Sequence, residues 1–241
     1  MSADTQLFAR ALRAAADALD PPVVVVVPET PPPPPTIVVV PVPVPVPAPA
    51  PAALTPIQQA LAALFASCAI SPEHVAEVSS IVDRILQYQD SYAEVEAATG
   101  VPWYVVASIH SLEADLDFTC HLYNGDPLSA RTVNEPTGRP IAGIPPFTWI
   151  KSAIDALDYD GLSGQSCWAM GVALDRVERY NGLGYRYRGF PSPYLWSGTN
   201  HYTAGRFVAD HVFDPKSVSK QCGVAALIQA LTARGTIKPL S

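Results

Sequence analysis

No stretch of this chain has the length of apolar sequence that a membrane-spanning helix needs. The valine runs Val23–Val27 and Ile37–Val40 are cut by proline long before the roughly 20 residues of a span, so no transmembrane segment is expected. Clustered positive charge is also missing. The 15 basic residues are scattered against 22 acidic ones, for a net charge of -7 with only 15% of residues charged. That excludes the one-sided basic footprint of a nucleic-acid binder. The first residues have no apolar run behind a basic start and no small-residue cleavage site, so no secretory signal is expected. Cysteine is sparse: Cys68, Cys120, Cys167 and Cys222 show no CxxC spacing and no histidine pair at ligand intervals. The pattern therefore points to no metal and no cofactor. It leaves open one or two disulfides or four scattered thiols.

Proline is abundant and unevenly placed. Of 26 prolines, 15 lie between Pro21 and Pro56, alternating with valine and alanine. A residue before proline is pushed to extended conformations, and proline offers no amide donor, so residues 21–54 read as a stiff polyproline-II spacer. Ahead of it, Leu7, Ala11, Ala14, Ala15 and Leu19 mark a short amphipathic helix over residues 1–20, available to dock a partner. Residues 55–241 remain for one folded domain.

Thr55-Pro56 is a helix-start signal, followed by Ile57, Leu61, Leu64 and Phe65 at helical spacing. Ser71-Pro72-Glu73 repeats it, and Val75, Val78, Val82 and Ile85 predict a helix continuing past Tyr92 to Ala98. Trp103 to Ala114 is apolar on most faces, as a buried central helix is. Turn dipeptides then crowd residues 121–140 and predict a small irregular β-hairpin around Leu122–Tyr123 and Arg131–Val133. Further helices are expected over Phe147–Asp158, Trp168–Tyr180 and Ser217–Ala233, with a loop at 181–200. The expected class is mainly α (α+β), with one hairpin after the central helix.

Glu113 ends that central helix, where burial would raise its pKa toward the range of a general acid. Downstream come polar groups on the predicted hairpin, including His121, Tyr123, Asp126 and Thr132, and then an aromatic and amide-rich stretch, Tyr180 to Tyr185. Aromatic faces and amides bind neutral sugars by stacking and by hydrogen bonds to hydroxyls and N-acetyl groups. Asp115 and Asp117 read as solvated helix-end acids. His110 reads as structural or substrate-lining, and Trp103, Trp149 and Trp168 read as core.

Several ordered segments carry a resemblance. They are Pro102-Trp103-Tyr104 with Ile109-His110-Ser111-Leu112-Glu113, His121 to Leu128, Pro146 to Trp149, Tyr180 to Tyr185, and Ser192 to Trp196 through Asn200-His201-Tyr202. From about Val101 to Gln229 the chain resembles lysozyme-like peptidoglycan hydrolases of phage endolysin type, and more distantly goose-type lysozymes and lytic transglycosylases. The resemblance implies a lysozyme-like fold acting on peptidoglycan glycan strands in the cell wall, after release from the cytoplasm. It implies Glu113 as the general acid and Asp126 with Thr132 as the groups that position water. It implies sugar contacts from Tyr180 and Asn181, and by neighbourhood from His121, Tyr123, Tyr185, Trp196, Asn200, His201 and Tyr202. Transglycosylases commonly carry serine after the catalytic glutamate, whereas Ala114 follows here, which favours hydrolysis. A non-catalytic wall-binding or virion module is the rival from another class.

Overall fold

A computed structural model describes residues 53–209 and 211–238. The helix expected over 1–20 and nearly all of the 21–54 spacer lie outside the described residues. Helix α1 (Pro56–Ala66) starts with a reciprocal cap: the Gln58 amide donates to the Thr55 hydroxyl at 3.3 Å, and the Gln58 side chain accepts from the Thr55 amide at 3.0 Å. Two orphan amides of the first turn are thereby satisfied.

A 3₁₀ turn (Pro72–His74) leads into α2 (Val75–Gln87), and α3 (Gln89–Thr99) follows after one residue. The single long helix expected here is therefore broken, at Tyr88, with φ -116° and ψ 20°. The break has a packing cause. Val78, Val82 and Ile85 are buried where α2 meets the last helix, whereas Tyr92, Val95 and Thr99 are buried where α3 meets α4 (Trp103–Ala114) and α5 (Trp149–Tyr159). One straight helix cannot aim both stripes.

Helix α4 is the centre. Every residue from Tyr104 to Ser111 is buried. The buried hydroxyl of Ser108 is satisfied by donating to the Tyr104 carbonyl at 2.7 Å, whereas the buried Tyr104 hydroxyl has no protein partner. Beyond it, Thr148 caps α5, and α6 (Met170–Asn181) packs on α1. Short helices α7 (Gly184–Tyr187) and α8 (Pro193–Trp196) lie within the 181–200 region expected to be loop. The last helix, α9 (Val224–Ala233), packs on α2, α4 and α8. It begins seven residues later than the Ser217 start expected. Its cap, Gly223, is pressed so close to α8 that a Cβ there would meet the Leu195 carbonyl oxygen at 2.5 Å.

The sheet is also displaced from its expected place. Residues 120–140 hold only an isolated bridge, Cys120 to Pro127, and the two-stranded antiparallel sheet is β1 (Arg206–Ala209) with β2 (Val212–Asp214). Phe207 pairs with Phe213 across it, and both rings pack against Tyr185. An aromatic cluster, not an alternating pattern, makes this hairpin. The domain is thus mainly helical with one small sheet. Among the described residues no helix is long and apolar enough to cross a membrane, and the four cysteines form no disulfide.

The α1–α6 contact depends on Gly171, because a Cβ there would collide with the Gln58 carbonyl. Gly171→Ala is expected to cost about 1–3 kcal/mol through overpacking, read as a lower urea midpoint. An unchanged midpoint would show that the two helices can separate freely.

Candidate active site

Helix α4 ends abruptly. Asp115 and Leu116 both take left-handed backbone conformations, with φ 48° and 58°, at a cost of about 1–2 kcal/mol each for non-glycine residues. Their surroundings hold them there. Both amides return to the His110 carbonyl, that of Leu116 at 3.3 Å. Arg84 grips the Asp115 carbonyl at 2.5 Å and its carboxylate at 3.3 Å, and the Leu116 side chain is buried. This sharp exit leaves Glu113, in the last helical turn, facing a cleft of about 340 Å³ instead of more chain. The cleft is lined by Glu113, Tyr123, Glu135, Pro136, Tyr159, Asp160, Tyr180 and Asn181.

The electrostatics of this cleft separate two carboxyls. Burial pushes Glu113 up to about 7. The Tyr194 hydroxyl, donating to Oε1 at 2.8 Å, pulls the other way, and the negative charge of Asp160 adds to the rise. Asp160, exposed at the end of α5, is raised to about 6 by desolvation against the attraction of Arg139. Arg139 is itself fixed. It pairs with Asp155 at 2.9 Å, donates to the Tyr123 hydroxyl at 3.1 Å, and stacks over Tyr159 at 4.7 Å. Desolvation thus raises both carboxyls of the cleft toward neutrality, Glu113 to about 7 and Asp160 to about 6, the range in which a carboxyl can both give and take a proton.

Of the residues singled out in the sequence, the fold brings Glu113, Tyr123, Tyr180 and Asn181 together. Asp126 and Thr132 do not line the cleft. The Asp126 carboxylate accepts from the amides of Val133 at 2.8 Å and Asn134 at 2.9 Å and from the Asn134 side chain at 2.7 Å. Thr132 donates to the Pro136 carbonyl and accepts from the Arg139 amide at 2.9 Å. Both are buried braces of the loop, with no free oxygen edge for water. The same bonds explain the absent hairpin: carboxylate and hydroxyl take the donors a strand ladder would use, and Pro127, Pro136 and Pro140 supply none.

His121 is also consumed. Its Nε2–H donates to the Ala130 carbonyl at 2.8 Å, and Nδ1 accepts from Ser152 at 2.7 Å. Tyr185 turns away to the β-hairpin, where its hydroxyl accepts from the Phe207 amide at 3.2 Å. Gly182, at φ 94°, divides that motif, leaving Tyr180 and Asn181 at the cleft. Trp196 is core, not a stacking platform: it is 3% exposed. Asn200 and His201 serve the end of α1, Asn200 by bonds to Ala69 and Ser67 and His201 by donation to the Leu64 carbonyl at 2.8 Å. Tyr202 is buried, donating to Gly205 and accepting from the Ser219 amide.

His110 is structural. The Trp149 indole donates to its Nε2 at 3.1 Å, which leaves Nδ1–H for the Tyr92 oxygen at 3.0 Å, and burial lowers it to about 4, so it is neutral. Sequence reasoning missed Asp160, Tyr159, Glu135 and Arg139 as site residues and gave Tyr194 no role. Only Tyr194 carried a signal, the Ser-Pro-Tyr start of a short helix in a segment already singled out. No family model matches the chain, and no curated protein or solved structure matches it.

Asp126 provides a test of the loop. Burial alone would raise its pKa, but the Asn134 and Val133 amides and the Asn134 side chain outweigh that and hold it below the usual range. A depressed carboxyl stabilises the fold above its unfolded pKa of about 3.9, and the contribution disappears as pH falls through the folded value. Asp126→Asn should cost about 1–3 kcal/mol near neutrality, with the gap from wild type closing in acid, as read by urea unfolding at several pH values. Full stability with lost cleavage of substrate would instead give Asp126 a catalytic role.

Proposed function

We propose that this domain is a peptidoglycan hydrolase of the N-acetylmuramidase type, cleaving the β-1,4 bond between N-acetylmuramic acid and N-acetylglucosamine. The observation that carries the reading is a helix-end carboxyl raised to about 7 in a tyrosine-walled cleft, beside a second carboxyl near 6. The sequence resemblance supports it independently, because it assigns the acid to the same Glu113.

In this reading Glu113 gives its proton to the glycosidic oxygen as the C–O bond breaks, and the leaving sugar departs as an alcohol. The Asp160 carboxylate, in place of Asp126, faces the positive charge developing on the sugar ring and orients the attacking water. Tyr123, Tyr159 and Tyr180 offer ring faces to the saccharide, and Asn181 offers its amide to N-acetyl and hydroxyl groups. Tyr194 keeps Glu113 from rising further, so the acid stays strong enough to give its proton up. No cofactor is required, and the enzyme acts on the wall after release from the cytoplasm. The second carboxyl and Ala114 both favour attack by water over the internal closure of a lytic transglycosylase.

Lysis of chloroform-permeabilised Gram-negative cells, followed by turbidity, should fall about 10²–10⁴-fold in Glu113→Gln, the usual worth of a general acid, with the unfolding midpoint preserved. Undiminished lysis would remove Glu113 from the chemistry, and wall binding without release of soluble fragments in the wild type would point to a binding module. Anhydro-muropeptides in the products, seen by mass spectrometry, would assign a transglycosylase.

The pH profile gives a second test. A general acid must be protonated, so activity should decline as pH rises through about 7. Tyr194→Phe removes a bond that favours the ionised carboxyl, so the alkaline limb should move to higher pH. Asp160→Asn removes a repelling charge, so the limb should move to lower pH while the rate drops. A limb that ignores both substitutions would belong to another group.

A further inference from the structure

Among the described residues, one trio outside the cleft has the chemistry of a metal site. His74 ends the 3₁₀ turn, Glu77 lies in the first turn of α2, and Cys222 arrives from the opposite end of the domain, just before α9. His74 Nδ1 is 3.1 Å from Glu77 Oε2, and one ligand atom from each of the three residues lies within 4.8 Å of the others. An ion bound at about 2.0–2.3 Å sets tetrahedral ligand atoms about 3.5 Å apart, so the trio, spread over up to 4.8 Å, draws together on binding.

The backbone around the trio is already fastened. The Ser71 amide donates to the Gly198 carbonyl at 3.0 Å, and the Gly223 amide donates to the Ser197 carbonyl at 2.8 Å, so both arms of the site are tied to one segment. Gly198 fills the space between them. A Cβ there would lie 3.5 Å from the His74 side chain and 3.6 Å from Cys222 Sγ. Cys222 is buried while His74 and Glu77 are partly open, and His74 borders a cleft of about 340 Å³ shared with Ser197, Gly198, Thr199 and Tyr202. A water from that cleft would supply a fourth ligand.

We propose that His74, Glu77 and Cys222 bind a zinc ion, with solvent in the fourth position. Thiolate, imidazole and carboxylate together suit Zn²⁺ and exclude the oxygen-only preference of Mg²⁺ and Ca²⁺. On binding, a sulfur–zinc bond forms and the Cys222 thiol proton leaves to solvent. His74 gives its Nδ1 lone pair with its proton on Nε2.

The site is independent of the glycosidase reading, and its test reads metal alone. Full-length protein freed of metal by chelator is titrated with Co²⁺, then Zn²⁺. A thiolate-to-cobalt charge-transfer band with visible tetrahedral bands is expected, bleached by stoichiometric Zn²⁺. Cys222→Ser should abolish the band, and a triple serine variant of Cys68, Cys120 and Cys167 should keep it. His74→Ala and Glu77→Gln alter partly open positions, and an unchanged urea midpoint verifies that each variant is folded. Each should weaken Zn²⁺ by more than about 100-fold, beyond the 10–100-fold cost typical of groups that only orient ligands. The proposal fails if no band forms, if the band survives in Cys222→Ser, or if either the His74 or the Glu77 substitution leaves affinity unchanged.

Discussion

The burial of α4 from Tyr104 to Ser111 is the constraint from which the rest of this domain follows. A helix with Val105, Val106, Ala107 and Ile109 wholly inaccessible carries its last turn into low-dielectric surroundings. A carboxyl placed there is desolvated whether or not anything else touches it. Helix α3 on one flank and α9 on another supply the protein that excludes water. The two left-handed residues that follow stop the chain from covering the carboxyl. Burial alone would have hidden Glu113, and exposure alone would have left it an ordinary surface acid. The abrupt exit at Asp115 and Leu116 gives a desolvated group an open front.

The loop over 115–148 then turns this carboxyl into one member of a set. It is held by side-chain-to-backbone bonds and not by a ladder, and each has a traceable consequence. His121 fastens the loop to α5 through Ser152, and Tyr180 donates to the Leu122 carbonyl at 3.3 Å, fastening it to α6. Gly125 lies so near the backbone of the acid that a Cβ would sit 3.1 Å from the Glu113 carbonyl oxygen. Asp126 and Thr132 shape the stretch that brings Arg139 over α5, where it meets Asp155, Tyr159 and the charge of Asp160. The two residues expected to handle water thus act at one remove, by shaping the wall that sets the Arg139 charge near the second carboxyl.

That displacement shows what was legible in the sequence. Helices could be read where apolar period and start signals agreed, as at Thr55-Pro56 and along Trp103–Ala114, because burial of a helical stripe leaves a local record. Glu113 could be singled out for the same reason: it closes a helix whose burial on most faces is recorded in its own residues. The break at Tyr88 and the late start of α9 left no such record, since each is set by a neighbour, the first by two differently directed partners and the second by the contact of Gly223 with Leu195. Asp160 was illegible too. In sequence it is one acid in Asp158-Tyr159-Asp160-Gly161, the ordinary look of a solvated helix end, and only the loop folded across α5 makes it part of a cleft. Asp126 erred in the other direction, since aspartate in a turn looks the same whether its oxygens face a substrate or three nearby donors.

The segment before α9 joins these lines of argument. Gln221 donates from its side chain to the Leu112 carbonyl at 2.9 Å, satisfying one of the open carbonyls in the turn that carries Glu113. Its neighbour Cys222 is buried against His74, and the next residue, Gly223, is bonded to Ser197. Three consecutive residues therefore reach the end of the central helix, the start of α2 and the end of α8. Fixing Cys222 at this point limits how far Gln221 can withdraw from the Leu112 carbonyl, and so how far the last turn of α4 can fray. Position, desolvation and acidity of Glu113 all depend on that turn staying closed, so its stiffness is set partly by a segment more than a hundred residues away in the chain.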